Sequence, residues 1–130
     1  MAAYLSAAWF EDVNRAARAG ERLAGATAGA RVTIQQVVTG GPAGDVRYWV
    51  RVDDGVVEAG PGAVEAPDAT VTQSYGTAVA VSRGELSVEH ALLEGRVRLS
   101  GDVSALVRHA AALGEVAAAF GEVRDRTAYG

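Results

Sequence analysis

The sequence predicts an α+β fold: one twisted, mainly antiparallel sheet of about five strands, with helices packed on one face. Three observations carry that prediction. Apolar residues recur at helical spacing at both ends of the chain, they alternate with period two from Asp45 to Asp53, and the period turns helical again after Ser74. A length of 130 residues and a mass of 13.3 kDa set the expectation of a single domain, 1–130.

The elements follow in order. Ser6 is placed to cap a first helix in which Leu5, Ala8, Trp9, Val13, Ala16 and Ala17 recur on one side. Gly20 and the small residues from Gly25 to Gly29 end it and form a connection. Arg31 to Val38 reads as a strand whose alternation is interrupted at Gln35-Gln36, and Gly40-Gly41-Pro42-Ala43-Gly44 is the strongest turn signal. In the clearest strand, Asp45 to Asp53, Val46, Tyr48, Val50 and Val52 face one way and Arg47, Trp49 and Arg51 the other. Asp54-Gly55 supplies a tight hairpin, because glycine tolerates the positive φ it demands, and Val56 to Ala59 returns antiparallel.

Gly60 to Pro67 reads as a loop, and Asp68 to Thr72 as a short strand with Ala69 and Val71 on one side. Ser74 caps a helix carrying Tyr75, Ala78, Val79 and Ser82, closed by Gly84. Ser87 caps another with Val88, Ala91 and Leu92, closed by Gly95. Arg96 to Ser100 alternates again, with Val97 and Leu99 on one side. Asp102 starts a long helix with Val103, Leu106, Val107, Ala110 and Leu113 on one face. Gly114 weakens or kinks it, and Val116, Ala119, Phe120 and Val123 continue the stripe. Arg124 to Gly130 is expected to fray.

Composition narrows the chemistry. Hydrophobic residues make up 49% of the chain, but alanine supplies 27 of these 64 and valine 19, against 8 leucines and 8 aromatics. Such an interior is filled with small side chains or left incompletely filled. The absence of cysteine excludes disulfides, thiol nucleophiles and Cys-ligated zinc; the absence of lysine excludes Schiff-base chemistry and a P-loop. Twelve arginines against 16 acidic residues, with no basic cluster, argue against nucleic-acid binding. No apolar run approaches the ~18 residues of a transmembrane segment, and Met1 to Ser6 lacks the charged start and apolar run of a signal peptide, so a cytoplasmic protein is expected.

No catalytic, metal or cofactor motif emerges. His90 and His109 fall in different helices, and the His90–Glu94 spacing alone makes no metal site, so surface histidines are the simpler reading. Asp53-Asp54 is explained by its turn. No glycine-rich segment reads as a nucleotide loop, and no cofactor is expected. Trp49 between Arg47 and Arg51 offers a flat cationic surface to a ligand, yet cross-strand packing with arginine stems along the ring is the commoner arrangement.

From Asp68 onward the order of motifs takes a direction. Asp68-Ala69-Thr70-Val71-Thr72-Gln73-Ser74-Tyr75, then Arg83-Gly84-Glu85-Leu86, then Leu93 to Asp102 resembles the sterol carrier protein family of non-specific lipid-transfer proteins. The hairpin Tyr48 to Gly55 matches the strand pair that family places upstream, and Ser6-Ala7-Ala8-Trp9 is similar to the opening of its small bacterial members. The resemblance implies helices over one face of the sheet and an apolar tunnel carrying a hydrophobic small molecule or lipid: a sterol, fatty acid or fatty acyl-CoA. Arginines, or Glu85, stand where the family has lysines, and no peroxisomal targeting ending is present.

Residues on the apolar side of each element are the candidate ligand-binding set: Tyr48, Val50, Tyr75, Val79, Leu92, Leu99, Leu106, Leu113 and Phe120. An empty apolar cavity of ~300 Å³ would cost about 7 kcal/mol, rivalling a domain stability of about 5–15 kcal/mol. A tunnel is therefore expected to be occupied, collapsed or plugged. A second reading is a small-molecule biosynthetic enzyme, a cyclase or isomerase, using Gln36, Gln73, Tyr75 and His90 for proton transfer at the same pocket. A third is a dimerisation or accessory domain whose apolar groove takes another chain, with a homodimer as one form.

Overall fold

The computed structural model describes residues 1–129. Five strands form the main sheet: β2 (Arg31–Gly41), β3 (Gly44–Asp53), β4 (Val56–Pro61), β5 (Ala69–Ser74) and β6 (Val97–Gly101). Their order is β4-β3-β2-β5-β6, and every pair is antiparallel except β2 with β5. Helices α1 (Ala7–Ala19), α2 (Glu21–Ala26), α3 (Tyr75–Ser82), α4 (Val88–Leu93), α5 (Val103–Arg108) and α6 (Ala110–Gly121) surround it, and the short strands β1 (Ala2–Ala3) and β7 (Thr127–Ala128) pair with each other in parallel. None of the described helices is long and apolar enough to cross a membrane.

Local chemistry explains most boundaries. Ser6, Ser74, Ser87 and Asp102 each accept a hydrogen bond from a backbone N–H in the first turn of the helix that follows. Asp54 (φ 45°) and Gly55 (φ 89°) both lie in the left-handed region, as a two-residue hairpin of this hand requires. Strand alternation sorts the sheet into two faces. Val32, Ile34, Val38, Tyr48, Val50, Val52, Val57, Ala59 and Ala69 are buried under the helices, together with Trp9, Phe10 and Val13 of α1. On the other face Trp49 lies across Gly60 of β4, with the Arg51 guanidinium 4.9 Å from its ring centre. Cross-strand packing is the arrangement found there.

Asn14 ties α1 to the outer edge of the sheet. Its amide donates to the Ala59 carbonyl at 2.8 Å, and its oxygen accepts the Ala59 N–H at 2.8 Å, pairing both backbone groups of one residue on the edge strand β4. Asn14→Ala is expected to lower the unfolding free energy by about 1–2 kcal/mol, since half-buried backbone groups lose their partners. Urea denaturation checks it, and a midpoint equal to that of the parent would show that solvent replaces both bonds without loss.

Four segments depart from the sequence expectation. Residues 21–26 form the helix α2 and not a connection, held by the burial of Leu23. The long helix after Asp102 breaks at His109 (φ −106°, ψ 18°) and not at Gly114, so its expected stripe does not stay on one face. Val103 and Val107 are exposed while Ala105 and Ala112 are buried, because alanines let these helices approach the core closely. In α4 only Ala91 is buried, and Val88, Leu92 and Leu93 face solvent. The tail expected to fray is held by β7, with Thr127 buried and its hydroxyl donating to the Val123 carbonyl at 2.8 Å; Gly130 lies outside the described residues.

Candidate functional site

The space between the inner face of the sheet and helices α1, α3 and α6 is where the aromatic side chains gather. Trp9, 2% exposed, enters from α1 and meets Tyr4, Phe10, Tyr48 and Phe120 with ring centres 5.1 to 6.3 Å apart. Tyr4 extends the group to Tyr75 at the start of α3 and to Tyr129 in the tail, at 6.0 and 5.1 Å. Seven of the eight aromatic residues in the chain thus form one connected cluster, mostly edge-to-face or tilted, the arrangements that ring quadrupoles favour. Trp49 alone stands apart.

Polar atoms mark the cluster. The Tyr4 hydroxyl donates to the Ala78 carbonyl at 3.4 Å, and the Ser82 and Tyr129 hydroxyls are hydrogen-bonded at 2.8 Å. Burial pushes the Tyr48 phenol well above its ordinary pKa. It does the same to Tyr4, reinforced by the neighbouring Tyr48, Tyr129 and Tyr75. Two enclosed side-chain atoms have no hydrogen-bond partner: Trp9 Nε1 and Gln36 Oε1. Gln36 shares the inner face with its register partners Tyr48 and Val71. Each orphan costs about 1–3 kcal/mol relative to a satisfied group.

The nine candidate lining residues distribute as follows. Tyr48 and Val50 are buried on β3; Tyr75 and Val79 are half-buried on α3; Leu99 is half-buried on β6. Leu106, Leu113 and Phe120 are half-buried on α5 and α6 and pack against the core. Leu92 is exposed on α4, outside this interior, because α4 seats itself through Ala91. Of the proposed proton-transfer set, Gln36, Gln73 and Tyr75 lie half-buried on β2, on β5 and at the start of α3, whereas His90 is exposed with its Nδ1 3.2 Å from Ser87 Oγ. Two open hollows stand out elsewhere, one of about 370 Å³ beside Met1, Asp12 and Arg126 and one of about 80 Å³ between α1, α2 and α6. Neither touches the nine.

Tyr4, Trp9, Phe10 and Tyr129 are the members that sequence patterning did not single out as site residues. Trp9 was legible only as part of an apolar stripe; Tyr4 and Tyr129 come together through the pairing of the two chain ends, which leaves no local signal.

Comparison with known proteins resolves the lineage. Residues 10–114 match the model of the SCP-2 sterol transfer family. The chain belongs to that family. Among solved structures, one titled sterol carrier protein 2 superposes with a TM-score of 0.76 at 22% identity, over 92% of this chain and 98% of its own. A conserved hypothetical protein of Thermus thermophilus, suggested to be a sterol carrier protein, superposes at 0.74 with 23% identity, over 91% and 87% of the two chains. Palmitated SCP2L2 from Aedes aegypti gives 0.59 at 25% identity, over 84% and 90%. No curated protein matches this SCP-2 family chain in sequence. The motifs from Asp68 to Asp102 thus lie within the matched span, and the α+β architecture is that of the sterol carrier proteins.

Proposed function

We propose that this SCP-2 family protein binds and carries a hydrophobic ligand of sterol, fatty-acid or fatty acyl-CoA type in the interior between the sheet and α1, α3 and α6. One observation carries the reading: an aromatic-lined, largely apolar interior that encloses two polar side-chain atoms with no partner. Family membership supports it, as does the palmitate carried by the Aedes aegypti relative. The close ring contacts suit a collapsed interior that opens to admit a chain, in keeping with the cost of an empty apolar cavity. The enzyme alternative draws no such support, since His90 faces solvent apart from Gln36 and Tyr75.

Native mass spectrometry of gently purified protein is expected to show co-purified lipid or one-to-one uptake of alkyl, acyl or sterol probes. Protein that carries none and takes up none overturns the carrier reading. Because the aromatic cluster must loosen for entry, Trp9 emission is expected to change on binding in Trp49→Phe protein, where it is the sole tryptophan.

A further inference from the structure

The two edges of the main sheet are finished differently. β4 is guarded: Asn14 holds the Ala59 N–H and carbonyl on its open side, and Pro61 ends the strand. β6, at the opposite edge, has a neighbouring strand only in β5. The Asp102 N–H bonds the Asp68 carbonyl on that side at 2.8 Å, and the register continues with Ser100 opposite Thr70 and Arg98 opposite Thr72. By the two-residue alternation of a strand, Arg98 and Ser100 turn their main chain toward β5. Val97, Leu99 and Gly101 turn theirs to the open side.

Apolar surface gathers on the elements that flank this open edge. Seven large apolar side chains are exposed among the described residues, and five of them, Val88, Leu92, Leu93, Val103 and Val107, belong to α4 and α5. Leu93 is 84% exposed and Val107 72%. α4 packs on β6 and leads into its first residue, and α5 follows its last residue after Asp102 alone. The strand thus has a helix with exposed apolar side chains at each end.

An open strand edge is a template for another strand, and an antiparallel partner reverses the ends. We propose that β6 is the interface of a two-fold symmetric homodimer, pairing antiparallel with β6 of a second copy. One register pairs all five residues of the strand. Leu99 lies opposite the partner's Leu99 on the axis, Val97 opposite the partner's Gly101 and Arg98 opposite the partner's Ser100. One residue further, Arg96 stands opposite the partner's Asp102 at both ends. These opposite charges have only exposed partners within the chain, Glu94 at 3.9 Å and Arg108 at 3.5 Å. A slip of two residues either way leaves three of the five residues paired, and in one direction it sets Arg98 against the partner's Arg98. Reversal of the ends also brings α4 of each copy to the same end of the paired strands as α5 of the other. The surface is therefore self-complementary in both charge and apolar character, as a two-fold interface requires.

Sedimentation equilibrium from about 1 to about 200 μM is expected to move the parent from 13.3 kDa toward twice that mass. Leu93→Lys and Val107→Lys, at exposed positions, are each expected to weaken the dimer about tenfold or more with the urea midpoint unchanged, because each buries an unpaired charge in the interface. Disulfides read the register, since the chain has no cysteine of its own. In this register position 98 and the partner's position 100 exchange no hydrogen bonds and lie about 4.5 Å apart at Cα, within the span of a disulfide. Like positions stand about 8 Å apart, beyond it. An oxidised mixture of Arg98→Cys and Ser100→Cys chains is expected to cross-link, whereas neither chain alone does. A parent that stays at 13.3 kDa at about 200 μM, open assemblies larger than a dimer, or a dimer that both lysine substitutions leave intact overturns the proposal. Cross-linking of either chain alone, or none in the mixture, overturns the register and the interface built on it. Flotation of a monomeric parent with phosphatidylcholine vesicles, lost in Leu93→Lys, would assign the apolar helices to a lipid surface and overturn the dimer as well.

Discussion

Gly101→Ala is expected to lower the unfolding free energy by about 3 kcal/mol or more, a large part of the 5–15 kcal/mol typical of a domain. Gly101 ends β6 at φ +83°, where an L side chain costs about 1–2 kcal/mol. A Cβ there would also stand 3.0 Å from the Asp68 carbonyl oxygen and 3.2 Å from Ala69 Cα, and neither backbone atom can swing aside. The close approach is needed because Gly101 pairs with Ala69 across the β5–β6 ladder and the Asp102 N–H then bonds the Asp68 carbonyl at 2.8 Å. Gly95 separates the two costs: it lies at φ +73°, yet nothing stands within 4 Å of its added Cβ. Gly95→Ala is expected to cost only about 1 kcal/mol, the strain alone. Urea midpoints of the two variants decide the matter, and equal losses would falsify the assignment to backbone crowding.

That contrast also explains why Ser100-Gly101-Asp102, the end of the Leu93 to Asp102 run, was informative. Its glycine answers a tertiary contact and its aspartate caps α5, so both residues are fixed by geometry that other side chains meet poorly. Signals of this local kind were legible throughout: the serine caps, the Asp54-Gly55 turn, the glycines that close α3 and α4. Faces of strands were legible too, since Val46 to Val52 can alternate in only one register against a core. What escaped was everything decided far along the chain. The parallel pairing of β2 with β5 and the β1–β7 pairing of the two ends have no local sequence correlate. Alanine hid the break at His109, because a stretch such as Ala110 to Ala112 offers no contrast between buried and exposed sides.

The site was divided along the same line. Tyr48, Tyr75 and Phe120 were readable from the apolar sides of their elements, whereas the convergence of Trp9 and Gln36 on Tyr48 depends on α1 crossing the sheet. Gln36 had a sequence signal of its own. It breaks the alternation of β2 by setting a polar side chain on the buried face, and the fold gives its oxygen no protein partner. A residue that violates the pattern without local compensation is where function is expected to reside.

The second large effect follows from the same enclosed aromatics and from the missing lysines. With neither lysine nor cysteine in the chain, no ammonium or thiol titration overlaps that of a phenol between about pH 9 and pH 12. In the unfolded chain Tyr4 and Tyr48 release their protons near their ordinary pKa of about 10; folded, burial holds both protons to higher pH. Above about pH 10 the unfolded state therefore binds fewer protons than the folded one, and stability falls as pH rises. The slope is about 1.4 kcal/mol per pH unit for each tyrosine, so the pair removes about 5 kcal/mol by about pH 12. Below about pH 9 neither contributes a slope. Denaturant midpoints measured across this range are expected to follow that decline, and Tyr48→Phe is expected to halve it. The tyrosinate absorbance of Tyr4 and Tyr48 should rise only as the near-ultraviolet circular dichroism of the packed rings is lost. Absorbance that rises fully while the rings stay ordered would mean that these two hydroxyls reach water, and that the interior they line is already open.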